Sequence, residues 1–273
     1  MKRGEDGLSV LPKLDKGVHM KIGCCGGFDR MEEAARAGFD YLELNATRVA
    51  GLSEADFAEL SKAHADAPLP TPSFNCLFPG DIRLMDESAA ETVSAYLNPA
   101  LDRVALLGGK TVVFGSGAAR RRPEDLPYSE AFRRLMAVTA LIGDIAAQRG
   151  ITVAVEPLNR RETNMVNSVA EGAALCAAVG HQAVRLLADY FHVAAENQPH
   201  EDIERVGGIA HAHIATAETR RVPVEAEPGF TVMFRAMKRT GYAGNISIEG
   251  GTDDLLRDGS IAVPLLKRLW DEA

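Results

Sequence analysis

From residue 20 onward, short apolar runs rich in β-branched residues alternate with longer stretches in which apolar residues recur every three or four positions. The first pattern is typical of strands buried on both faces, and the second is typical of amphipathic helices. The eight predicted strands are 20–24, 41–45, 72–76, 111–115, 152–156, 185–189, 210–214 and 245–249. The predicted helices between them include 29–37, 53–64, 87–107, 129–149, 169–179 and 230–238. This alternation predicts repeated βα units over a parallel sheet.

The strand count predicts the class of fold. Eight strands with helical returns, and no Gly/Ser-rich or Pro-rich linker between them, favour a single α/β domain, a (β/α)8 TIM barrel over residues 20–273. An open doubly wound sheet is the main alternative. Against it, the sequence GCCGGFDR after the first strand lacks the G-x-G-x-x-G pattern, and the chain has no G-x-x-x-x-G-K-[ST] phosphate loop. Residues 1–19 have no apolar signal core and are expected to be an extended leader or an artificial addition outside the barrel.

Composition and charge narrow the class of protein. Of the 273 residues, 46% are hydrophobic and 25% are charged, which is typical of a soluble globular protein, and no uncharged apolar run could cross a membrane. The formal net charge of −8 argues against nucleic acid as a partner, and Arg120, Arg121 and Arg122 are expected to form a solvated loop. The four cysteines are too few and too scattered for a disulfide framework, which indicates a reducing cytoplasm.

Ionisable side chains lie at the ends of the later predicted strands. Glu156 ends the fifth strand, Asp189 the sixth and Glu249 the eighth, while His211 and His213 lie on the seventh. The active site of a (β/α)8 barrel lies at the C-terminal ends of its strands, and neighbouring strands are about 4.8 Å apart, so these side chains can converge. Three carboxylates repel one another unless they share a divalent cation. An oxygen-rich set with one imidazole favours Mn²⁺, Mg²⁺ or Co²⁺.

Each member of this set also has a plainer interpretation. A single glutamate at a strand end is usually a loop or capping group, Asp189 could cap the next helix, and either histidine could be a hydrogen-bonded core residue. His211 and His213 point to the same side of their strand, and His213 is the predicted ligand because it lies nearer the C-terminal end, with His211 as the alternative. Glu43, at the end of the second strand, is expected either to close the other side of the pocket or to form a structural ion pair.

Four motifs, in the order EPLNRRETN, DYFHV, HAHIATAETRRVP and SIEG, resemble those of the xylose-isomerase-like TIM barrels. The resemblance is to the sugar isomerase and epimerase group that includes D-tagatose 3-epimerase and D-allulose 3-epimerase, and it covers nearly all of the chain after Met20. It implies a divalent ion, commonly Mn²⁺, Co²⁺ or Mg²⁺, held by Glu156, Asp189, His213 and Glu249. It also implies a sugar or polyol substrate and assembly as a homodimer or homotetramer.

The resemblance further implies substrate contacts at Glu162, at His192 and at an arginine that precedes the Val-Pro pair. Alignment on that pair selects Arg220, but the spacing from His213 is one residue longer than in the ketose epimerases, so Arg221 is an alternative. The aromatic pocket wall of those enzymes is altered here, since the single tryptophan lies in the last helix. The residues that stand where such aromatics are expected are Cys24, Phe28, Phe74 and Phe114.

These residues suggest proton transfer beside a carbonyl as the chemistry. Glu156 and Glu249 would be the catalytic pair on opposite faces of an enediolate, one removing the proton and the other returning it. Return to the same carbon gives epimerisation, and return to the neighbouring carbon gives isomerisation. An inosose-dehydratase-like lyase, a hydroxypyruvate isomerase and a non-catalytic sugar-binding or partner subunit are the alternatives, whereas seven histidines in an acidic chain argue against a multi-metal endonuclease.

Overall fold

Eight parallel strands close into a barrel in chain order in the computed structural model, which describes residues 20–273. The strands are Ile22–Cys25 (β1), Tyr41–Asn45 (β2), Ser73–Asn75 (β3), Thr111–Phe114 (β4), Thr152–Val155 (β5), Val184–Asp189 (β6), Ile209–Ile214 (β7) and Ile246–Ile248 (β8). Each strand pairs with the next, and β8 pairs with β1 through Gly23 and Ser247, which closes the sheet. The predicted (β/α)8 TIM barrel is therefore confirmed. The leader predicted over residues 1–19 lies outside the described residues.

Helices follow the strands around the outside of the barrel. They are Met31–Ala37 (α1), Ala46–Ala50 (α2), Glu54–Ala65 (α3), Ala89–Leu106 (α4), Tyr128–Ala147 (α5), Val169–Val179 (α6), Tyr190–Ala195 (α7), Glu201–Val206 (α8), Pro228–Arg239 (α9) and Leu255–Glu272 (α10). All six of the helices bounded from the sequence are confirmed to within two residues at each end. Helices α2, α7 and α8 were not predicted, because five or six residues are too few to show a helical period. Across residues 20–273, no helix combines the length and the apolar character that a membrane span requires.

The ends of two helices show how the sequence stops them. Helix α1 ends at Gly38 (φ 90°) and helix α6 ends at Gly180 (φ 62°), both in the left-handed region that glycine adopts without a steric penalty. Helix α6 begins at Ser168, whose side chain accepts a hydrogen bond from the backbone N–H of Glu171 at 3.1 Å. The two glycines lie in the αβ loops that lead into β2 and β6, whereas Ser168 ends the βα loop after β5, the loop that begins with Glu156.

The interior of the barrel differs between its two sides. Val113, Ala154 and Leu187 of β4, β5 and β6 form a small apolar layer. On the other side, Tyr41 of β2 donates or accepts a hydrogen bond with Ser247 of β8 at 2.7 Å, reaching past β1. A Cβ atom on Gly23 of β1 would lie 2.3 Å from the Tyr41 ring, so glycine leaves the space that this ring occupies. Polar groups therefore fill one side of the interior, beneath the site.

Candidate active site

Four of the residues predicted from the sequence meet at the C-terminal end of the barrel. Glu156 directly follows β5, Asp189 ends β6, His213 is the fifth residue of β7, and Glu249 directly follows β8. One ligand atom from each lies within 4.8 Å of those of the other three. Strand pairing explains this convergence, because Asp189 is aligned with His213 across β6 and β7. The set of metal ligands expected from the sequence is thus a spatial cluster.

The contacts within the cluster are those of a cation site. His213 directs Nδ1 towards Glu156 Oε1 at 3.2 Å and Glu249 Oε2 at 3.5 Å. Asp189 caps helix α7, with Oδ1 accepting a hydrogen bond from the backbone N–H of Phe191 at 2.7 Å, whereas its Oδ2 is buried and has no hydrogen-bond partner among the described residues. A buried carboxylate oxygen without a partner is costly, and a bound cation would satisfy it. The residues therefore fit a divalent metal ion.

The electrostatics of the cluster support the same conclusion. Burial raises the pKa of Asp189 to about 8, and the charges of Glu156 and Glu249 add to the effect. Burial also raises the pKa of Glu156. For Glu249, burial acts in the same direction, but His213 and Arg220 outweigh it and lower the pKa to about 2. Three crowded carboxylates with one imidazole form an oxygen-rich set that a divalent cation relieves of repulsion.

The structure separates the two histidines of β7. His213 Nδ1 faces the carboxylates, while His211 lies nearer the start of β7 and donates or accepts a hydrogen bond with Glu43 Oε2 at 2.7 Å. Glu43 also contacts His213, through Nε2 at 2.9 Å, and is completely buried. Glu43 is therefore a buried hydrogen-bond partner of both histidines and is not among the residues that line the cavity described below.

The residues expected to contact substrate surround this cluster. Arg220 approaches Glu249 Oε2 with Nη2 at 2.7 Å and Glu162 Oε1 with Nη1 at 3.1 Å. Its guanidinium also lies 4.7 Å from the centre of the Phe191 ring. Arg221, the alternative, forms an exposed ion pair with Asp253 at 2.5 Å. The structure therefore brings Arg220 and Glu162 to the site and leaves Arg221 outside it.

His192 is held with one nitrogen free. Its Nδ1 accepts a hydrogen bond from the backbone N–H of Asn159 at 3.1 Å, so the neutral ring carries its proton on Nε2. Burial, followed by the charge of Arg220, lowers the pKa of His192 to about 3 and keeps the imidazole neutral. The buried Nε2 has no hydrogen-bond partner among the described residues and lies 3.6 Å from Asp189 Oδ2. His192 thus presents a hydrogen-bond donor to the space beside the cluster.

A cavity of about 280 Å³ opens onto the cluster. Its lining includes Cys76, Phe78, Gly115 and Leu158, together with Glu156, Glu162, Arg220 and Glu249. None of the four residues expected to replace the aromatic wall, Cys24, Phe28, Phe74 and Phe114, lines it. The aromatic side chain in its lining is Phe78, which lies in the loop after β3. Trp270 packs against Phe234 and Tyr242 in the outer layer.

Two features of the site were missed by the sequence analysis. Arg120, expected to be solvated, is fully buried and donates to the carbonyl oxygens of Phe114 at 3.1 Å and Glu156 at 2.7 Å, which anchors the backbone beside the cluster. Asn75, the last residue of β3, donates from Nδ2 to Glu249 Oε1 at 3.2 Å. The signal for Asn75 was its place at a strand end. For Arg120 the sequence offered no such indication, because three adjacent arginines are typical of an exposed loop and only Arg120 is fully buried.

Comparison with known families agrees with this geometry. The sequence profile of the xylose isomerase-like TIM barrel family matches residues 31–267. The chain belongs to this family. Its curated relatives include the D-psicose 3-epimerase of Agrobacterium fabrum, 28% identical over 233 residues, which are 81% of this chain and 80% of that protein. The L-ribulose 3-epimerase of Mesorhizobium japonicum is 27% identical over 241 residues, which are 86% of this chain and 79% of that protein. The chain is therefore an enzyme of the isomerase and epimerase type.

Solved structures share the fold. The 3-keto-D-glucoside 4-epimerase of E. coli superposes with a TM-score of 0.77 at 20% identity, covering 91% of this chain and 99% of that one. The D-psicose 3-epimerase of Clostridium cellulolyticum H10, solved with D-tagatose, superposes with a TM-score of 0.79 at 19% identity, covering 92% of this chain and 99% of that one. At identities of 19% and 20%, this similarity establishes the barrel fold alone. The substrate has to be inferred from the side chains of the site.

Proposed function

We propose that this protein is a divalent-metal-dependent ketose 3-epimerase that moves a proton through an enediolate. The observation that carries the proposal is the meeting of Glu156 and Glu249 at Nδ1 of His213, with Asp189 beside them and a cavity opening onto the group. The ketose 3-epimerase names of several relatives support the same activity. When bound, a divalent cation held by these four residues supplies Lewis-acid stabilisation of negative charge on substrate oxygen.

The protein's own side chains carry out the proton transfer. One of Glu156 and Glu249 removes the proton from the carbon beside the carbonyl, and the other returns a proton from the opposite face. His192 donates its Nε2 proton in a hydrogen bond to a substrate oxygen, and Arg220 with Glu162 holds a hydroxyl group, so that the flexible sugar cannot rotate between the two transfers. Each glutamate must reach the reacting carbon, and both lie near the same ring nitrogen of His213, which supports this arrangement.

The charge of the cavity favours an uncharged sugar as the substrate. Arg220 is the only lysine or arginine among the described residues that line it, and both ends of its guanidinium already face carboxylates. A phosphate group would require a cation that is not already paired. A free ketose such as D-psicose, D-fructose or L-ribulose is therefore the proposed substrate class.

The ion and the location are proposed on chemical grounds. Mn²⁺ is the proposed ion, with Mg²⁺ or Co²⁺ as substitutes, because three carboxylates and one imidazole suit such ions. The proposed location is a reducing cytoplasm, since all four cysteines are free thiols. The proposed assembly, a homodimer or homotetramer, rests on the family resemblance alone.

An epimerisation assay tests the proposed activity. Protein stripped with EDTA and reloaded with Mn²⁺ is incubated separately with D-psicose, D-fructose and L-ribulose, and the products are separated by chromatography. The expected result is a 3-epimer of at least one ketose, formed only with the metal. Formation of a product that absorbs in the ultraviolet, with loss of water, would instead favour the lyase, and metal binding without any turnover would favour a binding subunit.

A further inference from the structure

A buried carboxylate lies directly behind the candidate metal ligand His213. Glu43 is completely buried, and its Oε1 lies 2.9 Å from His213 Nε2. The other ring nitrogen, Nδ1, faces Glu156 and Glu249. The hydrogen-bond partners of the Glu43 carboxylate among the described residues are His213, His211 and Ser247. Its effect on the site must pass through the imidazole.

The contact with Glu43 requires a proton on one particular nitrogen of His213, Nε2. An ionised carboxylate only accepts hydrogen bonds, so a hydrogen bond with Glu43 requires a proton on Nε2. An imidazole that binds a metal through Nδ1 must have that nitrogen unprotonated and its proton on Nε2. The contact with Glu43 therefore stabilises the one neutral tautomer that can bind a metal at the cluster.

The network around Glu43 holds the carboxylate in one orientation. Oε2 accepts a hydrogen bond from Ser247 Oγ at 2.5 Å and lies 2.7 Å from His211 Nε2. The Tyr41 hydroxyl in turn lies 2.7 Å from Ser247 Oγ. With one oxygen occupied by two partners, Glu43 cannot rotate away from His213 without leaving buried polar groups unpaired. Among the described residues, Glu43 is the only hydrogen-bond partner of His213 Nε2.

We propose that Glu43 is a positioning residue that selects the Nε2–H tautomer of His213 and aims its Nδ1 lone pair at the divalent cation. The inference rests on the proposed metal site and adds a residue to it that touches neither the cation nor the substrate. Carboxylates that accept a proton from a metal-binding histidine fix the orientation of the ring, and their loss typically lowers metal affinity about 10- to 100-fold. The size of that effect separates positioning from simple packing.

Metal affinity of Glu43→Gln is the first test. Glutamine has nearly the same shape, but it is neutral, and its NH₂ group can face Nε2 and draw the proton to Nδ1. Mn²⁺ affinity, measured by calorimetry and by the paramagnetic resonance of free Mn²⁺, is expected to fall at least about 10-fold. Tyr41→Phe removes a hydrogen bond in the same network but leaves the contact between Glu43 and His213, so its affinity is expected to stay within about 2-fold. Equal affinities of wild type and Glu43→Gln would overturn the proposal.

A second measurement uses the unaltered chain, in case Glu43→Gln does not fold. In protein labelled with ¹⁵N-histidine and loaded with diamagnetic Mg²⁺, long-range ¹H–¹⁵N spectra report the tautomer of each ring, and the spectrum of His213→Gln assigns the signals. The proposal requires the proton on Nε2 of His213, and a proton on Nδ1 would overturn it. Wild type that binds neither Mn²⁺ nor Mg²⁺ would overturn the proposed function as well, whereas metal-binding wild type with unchanged Glu43→Gln would overturn only the role of Glu43.

Discussion

Gly115 offers a sharp test of where Glu156 must lie. It follows β4, and a Cβ atom built on it would lie 2.2 Å from Glu156 Oε2. The backbone of Gly115 is not in the left-handed region, so alanine fits the local conformation, and the conflict is with the carboxylate alone. Non-bonded atoms settle at roughly 3.5 Å, so Glu156 must move by about 1 Å in Gly115→Ala. That movement alters the position of the carboxylate relative to His213 Nδ1, which lies 3.2 Å from its other oxygen.

The expected cost follows from this displacement. A misplacement of about 1 Å in a catalytic group lowers the rate by about 100-fold, which corresponds to about 2.7 kcal/mol in the activation free energy. Gly115→Ala is therefore expected to lose about 100-fold in kcat/KM for the best ketose, with weaker Mn²⁺ binding and a melting temperature within a few degrees of wild type. Steady-state kinetics, calorimetry and thermal unfolding measure these three quantities.

Gly80→Ala is the matched control. It makes the same substitution at the edge of the same cavity, but its added Cβ atom would meet only the Cβ of Ala118, at the ordinary distance of 3.9 Å. We expect its kcat/KM to stay within about 3-fold of wild type, since nothing has to move. If Gly115→Ala kept wild-type kcat/KM and Mn²⁺ affinity, Glu156 would have no required position, and the site as described would be wrong.

Three further predictions concern the surrounding groups. Arg220→Lys is expected to lose about 10- to 100-fold in kcat/KM, because lysine cannot contact both Glu162 and Glu249 as the guanidinium does. Arg221→Lys, the control, should lose less than about 3-fold, since Arg221 pairs with Asp253 outside the site. Equal losses would contradict the assignment of Arg220. His192→Phe is expected to lower kcat/KM by the same factor at every pH from 5 to 8, since the pKa of His192 is about 3, and a loss that changes with pH would show that this ring titrates. In the metal-free protein the pKa of Asp189, about 8, exceeds its unfolded value of 3.8, so the folded state binds more protons and stability falls as pH rises between those values. Saturating Mn²⁺ should therefore raise the melting temperature more at pH 8 than at pH 6, and an equal rise at both would count against Asp189 as a ligand.

Much of the barrel and its ligand cluster could be predicted because both follow from local patterns. Glu156, Asp189 and Glu249 each stand where an apolar run ends, and parallel strands bring such ends together. The same reasoning could not choose between His211 and His213 with certainty, since both point inward and the choice depends on the depth of each in the barrel. The contacts of Glu43 and His211 separate them only in three dimensions.

What the sequence could not predict depends on contacts between distant segments. Glu43 meets His213 across 170 positions of the chain, and nothing near Glu43 indicates that partner. Arg120 turns inward because the carbonyl groups of Phe114 and Glu156 accept its protons, while the side chains of Arg121 and Arg122 form hydrogen bonds at the loop surface. Phe78, in the loop after β3, contributes to the cavity lining, and its place there depends on how that loop folds.

Deuterium exchange tests the central claim most directly. Protein reloaded with Mn²⁺ is incubated in D₂O with D-psicose and D-fructose, and NMR follows deuterium entering the carbon beside the carbonyl. We expect exchange in the wild type and in Glu196→Gln, whose carboxylate pairs with Arg160 outside the cavity, and a loss of about 10²- to 10⁴-fold in both Glu156→Gln and Glu249→Gln. Exchange that persists at the wild-type rate in either of the last two variants would contradict proton transfer by this pair.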